Sequence, residues 1–272
     1  MKIFISVDIE GIAGVNEPLQ GQRGNPEYEI ARRLMTQEAN AAIRGAFAGG
    51  ASEVVVADSH GPMRNMIAED LDRRAFLVSG KPRPLSMIEG LRSDHSGVIL
   101  IGYHAAAGET GVLAHTVSGL AFAQIRVNGK ITGEPTLFAG HAAEIGVPLL
   151  AASGDDRLCA EILKQFPGAR RVEVKTALGA QSSQSLSPEA SRELIEAEVA
   201  EAVRNADTAK IDLPCKPPLD IEIRLMRQVY ADAAALLPHI IRKSATEISF
   251  TAVSHQQAIG TIAALALMAS AL

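Results

Sequence analysis

"KIFISVDIEGIAG", residues 2–14, begins with β-prone apolar residues, reaches Asp8 and Glu10, and turns at Gly11. A short run of this kind is typical of a strand buried in a parallel sheet. Two carboxylates at the end of such a strand repel each other unless one is protonated or a cation lies between them. The stretch therefore predicts a buried strand that leads directly into a charged site.

The rest of the chain alternates short β-branched runs with longer helical patterns. A helix through residues 28–50 follows the first strand, and the alternation continues to the carboxyl end of the chain. The further strand-like runs are "EVVVADSH" (53–60), "GVILIGYH" (97–104), "VPLLAAS" (147–153) and "RRVEVKTA" (170–177). This order is typical of βαβ units and predicts an α/β fold with a mostly parallel sheet and flanking helices.

Two further features predict the organisation of the chain. "AFAQIRVNGKIT", residues 121–132, carries Asn128-Gly129 between two β-prone runs, which is a strong hairpin signal. "DLPCKPPLD", residues 212–220, holds three prolines and is the best linker candidate. We therefore expect a larger α/β domain over 1–211 and a smaller β-α-β-α unit over 219–272, although one continuous domain with a proline-rich loop fits the same pattern.

Composition excludes several classes of function. A chain of 272 residues with a net charge of −5 and no basic cluster with interleaved aromatic residues is not typical of a nucleic-acid-binding protein. Cys159 and Cys215 support neither a disulfide framework nor a thiolate metal site. The most apolar segment, residues 260–272, is too short to span a membrane. We expect a cytoplasmic protein with no membrane or nucleic-acid partner.

The predicted strand ends carry the residues with chemical potential. Asp8, Glu10, His60 and His104 follow three strands, and ligands of parallel α/β sheets bind at this edge. Glu134, just after the hairpin, is a further oxygen donor. Each residue taken singly fits a turn or capping role, and Asp58 is an alternative to His60. Together, carboxylates and imidazoles are the ordinary ligands of catalytic zinc, so the set predicts a metal-dependent hydrolase.

Several longer motifs resemble one family. They are "SVDIEGIAG" (6–14), "DSHGPMRN" (58–65), "SMIEGL" (86–91), "GYHAAAGETGVLAHT" (102–116) and "GVPLLAASGDD" (146–156). In this order and spacing they resemble the zinc-dependent D-aminopeptidases of the DppA type across residues 1–160. The resemblance implies a metalloprotease that removes an N-terminal D-amino acid from short peptides such as D-Ala-D-Ala. It also implies a homo-oligomer, a decamer whose active sites face an internal chamber.

The resemblance also implies roles for individual residues, with two zinc ions in each chain. Asp8 matches the bridging carboxylate, Glu10 and His104 match ligands of one ion, and His60 and Glu134 match ligands of the other. His115, in "LAHT", matches the active-site histidine of the family.

One position departs from the family pattern. Where an Asn is usual four residues after the ligand glutamate, "GEPTLFA" (133–139) has Phe138, which cannot make the hydrogen bonds of an amide. This departure leaves open a related metal-dependent amidase or lactam hydrolase. A second alternative, independent of Phe138, is a non-catalytic peptide-binding protein with a vestigial metal site.

Overall fold

Two β-sheets and six α-helices build the molecule, for which a computed structural model describes all of residues 1–272. The strands are β1 (Lys2–Val7), β2 (Glu53–Asp58), β3 (Ala75–Val78), β4 (Gly97–Tyr103), β5 (Phe122–Val127), β6 (Lys130–Ile131), β7 (Leu149–Asp155), β8 (Arg170–Gly179), β9 (Ser182–Ser185), β10 (Leu219–Leu225), β11 (Ile241–Arg242) and β12 (Glu247–Ala252). The helices are α1 (Pro26–Ala48), α2 (Glu134–Glu144), α3 (Asp156–Gln165), α4 (Pro188–Arg204), α5 (Gln228–Ala234) and α6 (His255–Ser270).

The larger sheet has seven strands in the order β3-β2-β1-β4-β7-β8-β9. All neighbours pair in parallel except β8 and β9, which form an antiparallel edge. The α/β fold with a mostly parallel sheet and flanking helices is therefore confirmed. The strands β3 and β9 are short and lie outside the apolar runs that predict strands. A short helix is the expectation for "PLSMIEGL" (84–91), but this stretch contains only a 3₁₀ turn at Ser86–Ile88.

The smaller sheet is antiparallel, with the order β11-β12-β10-β5-β6. The Asn128-Gly129 hairpin is confirmed, because β5 pairs with β6 and both turn residues have positive φ, 50° and 77°. The strand β10 begins at the predicted unit boundary, but it pairs with β5 of the preceding region. The C-terminal residues therefore share a sheet with β5 and β6, and the domain division at 212–218 stays a prediction.

Two apolar cores lie on the two faces of the parallel sheet. Alternate side chains of β1 point into different cores. Ile3 and Ile5 pack under α1 and α4, whereas Phe4 packs with residues of α2, α6 and the smaller sheet. This alternation follows from the two-residue period of a strand. Burial on both faces explains why the strand sequences are almost continuously apolar. No helix is long and apolar enough to cross a membrane.

Helix α1 begins and ends at residues suited to those positions. The Asn25 side chain accepts a hydrogen bond from the backbone N–H of Glu27, and Pro26 occupies the first turn. Gly45 lies where α1 crosses α4, and a Cβ atom there would be 2.5 Å from the backbone oxygen of Glu196. The close approach of the two helices therefore depends on a residue without a side chain.

We expect Gly45→Ala to destabilise the protein by up to about 2 kcal/mol. This is the balance of about 1–3 kcal/mol for overpacking a close contact and a gain of about 1 kcal/mol that alanine brings inside a helix. The urea-unfolding midpoint of the variant, compared with that of the parent protein, measures the change.

Gly260→Ala in α6 is the matched control. The nearest atom to a Cβ at Gly260 is the backbone oxygen of Pro84, at 3.8 Å, which is an ordinary contact. Only the helix propensity changes there, so this variant should be more stable than the parent by up to about 1 kcal/mol. An equal gain from Gly45→Ala would contradict the packing argument.

Candidate metal centre

The candidate residues meet at the carboxyl edge of the parallel sheet. Asp8, His60 and His104 follow β1, β2 and β4, which are adjacent strands with β1 in the middle. Glu134 is the first residue of α2, and Glu10 lies in the loop after β1. Strand order thus brings together residues that are up to 126 positions apart in the chain, counted from Asp8 to Glu134.

Two glycines allow the loop after β1 to touch the end of β4. A Cβ atom at Gly11 would lie 2.0 Å from the backbone oxygen of Tyr103, and one at Gly102 would lie 2.3 Å from the backbone oxygen of Asp8. Gly102 also has a φ of +71°, which favours glycine. The backbone N–H of Gly11 donates to the oxygen of Gly102 at 2.7 Å. This contact sets the separation of Asp8 and His104.

Asp8 lies between two imidazole rings. Its Oδ1 atom is 3.2 Å from Nδ1 of His60, and its Oδ2 atom is 3.4 Å from Nε2 of His104. Nδ1 of His60 is also 2.9 Å from Oε2 of Glu10, and Nε2 of His104 is 3.4 Å from Oε2 of Glu134. The two oxygens of one carboxylate therefore face two separate groups of donor atoms, as in a bridging ligand.

Each histidine of the site uses its other ring nitrogen on a backbone carbonyl. Nε2 of His60 donates to Gly21 at 2.8 Å, and Nδ1 of His104 donates to Ala105 at 3.0 Å. A carbonyl only accepts, so these nitrogens carry the hydrogen. In the neutral ring the remaining nitrogen then presents a lone pair toward the carboxylates. Metal-ligating histidines are held in this way.

The charges of the site shift the pKa values of its members. Burial opposes a charge on His60, but the carboxylates of Glu10 and Asp8 outweigh it and raise the pKa of His60 well above its usual value. Burial is likewise outweighed at His104, where Glu134 and Asp8 raise the pKa. Burial opposes the charge of Asp8, yet both rings hold its pKa well below the ordinary range. The negative field that retains these protons also attracts a divalent cation.

Some buried polar atoms of the site have no hydrogen-bond partner. They include Nε2 of His104 and Oε2 of Glu134, whose side chains are only 1% and 2% exposed. Buried polar atoms are rarely left without a partner. The donor atoms of Asp8, Glu10 and His104 all lie within 4.8 Å of one another. Nitrogen and oxygen donors of this kind suit zinc, so the residues present fit a metal centre.

His115 lies beside this cluster. Its ring stacks on that of His104 with centroids 4.2 Å apart, and its Nδ1 donates to the oxygen of Leu113 at 2.9 Å. Its Nε2 is 3.9 Å from Oε1 of Glu134, which accepts the backbone N–H of Val117. The side chain is 23% exposed. His115 is therefore the histidine of this group with the most access to solvent and to a substrate.

The structure shows what the side chains of Asp58 and Phe138 contact. The carboxylate of Asp58 accepts hydrogen bonds from Asn65 and from the backbone N–H of Met66, so it stabilises the loop that carries His60. Phe138 is 1% exposed and belongs to the apolar core on the α2 side of the sheet. It lines neither cavity at the site. The departure from the family pattern at Phe138 therefore falls in the core.

Sequence patterns did not indicate two charged residues that hold the loop after β1. The buried ammonium of Lys175 donates to the backbone oxygens of Glu10, Ile12 and Val15. Glu38 in α1 accepts the backbone N–H of Ala13 at 3.0 Å. Both groups act on the backbone of the loop, so they orient Glu10 without using the carboxylates of the site.

A register shift explains why the local sequence pattern does not predict the position of Lys175. In "RRVEVKTA" the buried Val172 and Val174 alternate with exposed residues, which predicts that Lys175 faces solvent. The pairing of β7 with β8 shifts between Gly154 and Asp155, directly opposite this point. Such irregularities turn side chains to new directions. The only local sequence feature that could indicate a buried Lys175 is its position directly after the inward-facing Val172 and Val174.

Two cavities flank the cluster. The first, of about 280 Å³, reaches Asp8, Glu134 and the basic residues Lys81 and Arg83, and one wall is formed by α6. The second, of about 470 Å³, reaches Glu10 on the other side. His60 and His115 line both. A substrate in either cavity therefore contacts the same two imidazoles, with Asp8 and Glu134 on one side and Glu10 on the other.

An α/β fold with paired carboxylates and imidazoles at the carboxyl edge of its sheet is typical of metal-dependent hydrolases. The chain belongs to the D-aminopeptidase family, whose family pattern matches residues 1–264. The resemblance found in the sequence is thereby confirmed, and the chain is a member of a family of peptide hydrolases.

Two similar proteins agree with this membership. A D-aminopeptidase of Bacillus subtilis (strain 168) is 36% identical over 254 residues, which cover 93% of this chain and 92% of that protein. The structure of the Zn-dependent D-aminopeptidase DppA from Bacillus subtilis, described as a self-compartmentalizing protease, matches with a TM-score of 0.94 and 32% identity. The match covers 100% of this chain and 99% of that one.

Glu38 makes stability depend on pH. Burial raises its pKa from 4.5 to about 7. A carboxyl group that binds its proton more tightly when folded stabilises the protein below pH 4.5, and this contribution is lost as the pH rises to about 7. The free energy of unfolding of the parent protein should therefore fall as the pH rises, and we expect Glu38→Gln to remove up to about 3 kcal/mol of this decline, since one pKa unit corresponds to about 1.4 kcal/mol. Urea unfolding of both proteins in chelator at pH 5 and pH 8 measures the difference.

The same change at the exposed Glu29, on the same helix, controls for the loss of one carboxylate. It should leave the decline between pH 5 and pH 8 in place. If Glu38→Gln also declines as steeply as the parent protein, the titration of Glu38 is not the cause.

Proposed function

We propose that this protein is a zinc aminopeptidase that hydrolyses short peptides with an N-terminal D-amino acid, of the D-Ala-D-Ala type. We further propose that two zinc ions bind in each chain, with Asp8 as the shared ligand. The other proposed ligands are Glu10, His60, His104 and Glu134. The observation that carries this proposal is the position of Asp8, whose two oxygens face His60 on one side and His104 on the other.

The division of ligands between the ions is open to two arrangements. The family resemblance groups Glu10 with His104, and the donor atoms of these residues and Asp8 lie within 4.8 Å of one another. The direct contacts instead pair His60 with Glu10, at 2.9 Å, and His104 with Glu134, at 3.4 Å. Both arrangements keep Asp8 as the bridge, so the proposed chemistry does not depend on the choice.

Bound zinc supplies Lewis-acid polarisation of the scissile carbonyl and lowers the pKa of an attacking water. The chain supplies the orientation of the ligands. Lys175 and Glu38 hold the loop of Glu10, and the backbone carbonyls of Gly21 and Ala105 fix the rings of His60 and His104. Preorganised groups of this kind need little rearrangement during reaction.

We propose that His115 is the acid–base residue. Its Nδ1 is held by the oxygen of Leu113, and its Nε2 makes no hydrogen bond and lines both cavities. From this position the protonated ring can donate to the developing oxyanion or to the leaving amine. Stacking on His104 fixes the plane of the ring and so limits the direction of donation.

We also propose that the protein is a homo-oligomer, and the resemblance favours a decamer. The support is the similarity to DppA, which is described as self-compartmentalizing. The cytoplasmic location expected from the sequence stays a prediction.

Metal content and a substrate panel test the proposed function. We expect about two zinc ions per chain in protein purified without chelator, and hydrolysis of D-Ala-D-Ala but not of L-Ala-L-Ala or N-acetyl-D-Ala-D-Ala. Elemental analysis and release of free alanine are the measurements. Efficient cleavage of small amides or lactams in place of D-dipeptides would favour the amidase alternative. Binding of D-dipeptides without turnover in zinc-loaded protein would favour a peptide-binding protein.

Variants of Asp8 and His115 separate metal binding from proton transfer. Asp8→Ala removes the proposed bridge, so we expect loss of both bound zinc and hydrolysis. His115→Ala should retain zinc but lower kcat by about 10²–10⁴-fold, the usual contribution of general acid–base catalysis. Loss of zinc from His115→Ala would make this residue a ligand, and full activity of zinc-free Asp8→Ala would exclude the dinuclear mechanism.

A further inference from the structure

We propose that Lys81, with Arg83 behind it, binds the C-terminal carboxylate of the peptide substrate. The cavity of about 280 Å³ would then receive the leaving residue of a dipeptide. The inference rests on the proposed aminopeptidase function and names a property of the substrate that this function leaves open: the charge at the far end of the peptide.

Arg83 gives this cavity a fixed positive charge. Its side chain is buried, with 9% of the residue exposed, and its guanidinium donates to the backbone oxygens of Asp58, Val78 and Gly80. All three partners are neutral carbonyls, and no carboxylate forms an ion pair with Arg83. The position of the guanidinium is therefore fixed, while its charge is not cancelled by a direct partner.

Lys81 adds a mobile positive charge to the same loop. It is exposed, lines the cavity, and forms no ion pair or side-chain hydrogen bond. Arg83 anchors this loop to the strand end that carries His60, so the flexible Lys81 side chain extends from a fixed point on the wall of the cavity.

The remaining lining of the cavity offers no other charged group that could compete with Lys81 and Arg83 for a carboxylate at their end. The only carboxylates there are Asp8 and Glu134, both proposed metal ligands. Apolar surface comes from α6 and from the segments that face it, through Met63, Met87, Val117, Ala263, Ala266 and Leu267. A ligand that suits this cavity has a polar end toward the metal centre, a small apolar side chain and an anionic end toward Lys81.

A dipeptide has this distribution of groups when its scissile carbonyl lies at the metal centre. The leaving residue then carries the free carboxylate, and its small side chain can contact α6. The volume of about 280 Å³ is near the lower limit of about 300 Å³ for small-molecule sites, which suits one short residue better than a long chain. The second cavity contains Glu10 and no lysine or arginine, so it offers no comparable site for a carboxylate.

The test compares D-Ala-D-Ala with D-Ala-D-Ala amide, which lacks the terminal negative charge. The parent enzyme should prefer the acid in kcat/KM by up to about fivefold, the upper range for a partly exposed ion pair. Lys81→Met should lower kcat/KM for the acid by a similar factor, mainly through a higher KM, and leave the amide unchanged. Lys81→Arg should retain the preference for the acid.

Lys164→Met in α3 is the matched control, because it removes one exposed ammonium group away from both cavities. This variant should leave kcat/KM unchanged for both the acid and the amide. The inference is overturned if the parent enzyme cleaves the amide as well as the acid, or if Lys81→Met lowers the rates of both substrates equally. Failure of zinc-loaded parent enzyme to cleave either substrate would instead overturn the proposed function, and the inference with it.

Discussion

The buried negative charge of Asp8 is the constraint on which the rest of the site depends. A carboxylate with 2% exposure is stable only beside positive charge or hydrogen-bond donors. Its two oxygens face two imidazoles, each already committed to a backbone carbonyl through its other nitrogen. Protons can occupy the space between rings and carboxylates, and so can metal ions, which fit the donor atoms left without partners.

Two buried basic residues support the site without neutralising it. Lys175 and Arg83 each donate to three backbone carbonyls, on the loop after β1 and on the segments around His60. Neither forms an ion pair with a proposed metal ligand. The loops of the candidate site are thus held through their backbone, while the carboxylates of Asp8, Glu10 and Glu134 make no ion pair with either cation. In metal sites, groups that are not ligands commonly hold the ligands in position.

Local patterns predicted the parts of this protein that depend on short-range physics. The apolar run before Asp8 and the Asn128-Gly129 hairpin follow from side-chain period and turn geometry. The convergence of Asp8, His60 and His104 was also predictable, because parallel strands place their carboxyl ends at one edge. The positions of Lys175 and Glu38 were not predictable from local patterns. An irregularity in the pairing of β7 with β8 brings Lys175 to the loop after β1, and the packing of α1 against the sheet brings Glu38 there.

The sequence by itself determined the fold class through apolar periodicity and the family through the resemblance of its successive motifs. Residue types at strand ends also determined which side chains have the chemistry to bind a metal. Only the tertiary structure decided what each of these residues faces. Phe138 enters the core, Asp58 supports a loop, and Asp8 lies between two rings. The physical reason is that burial, charge and hydrogen bonding at the site depend on strand order and loop contacts between segments far apart in the chain, which local sequence patterns do not specify.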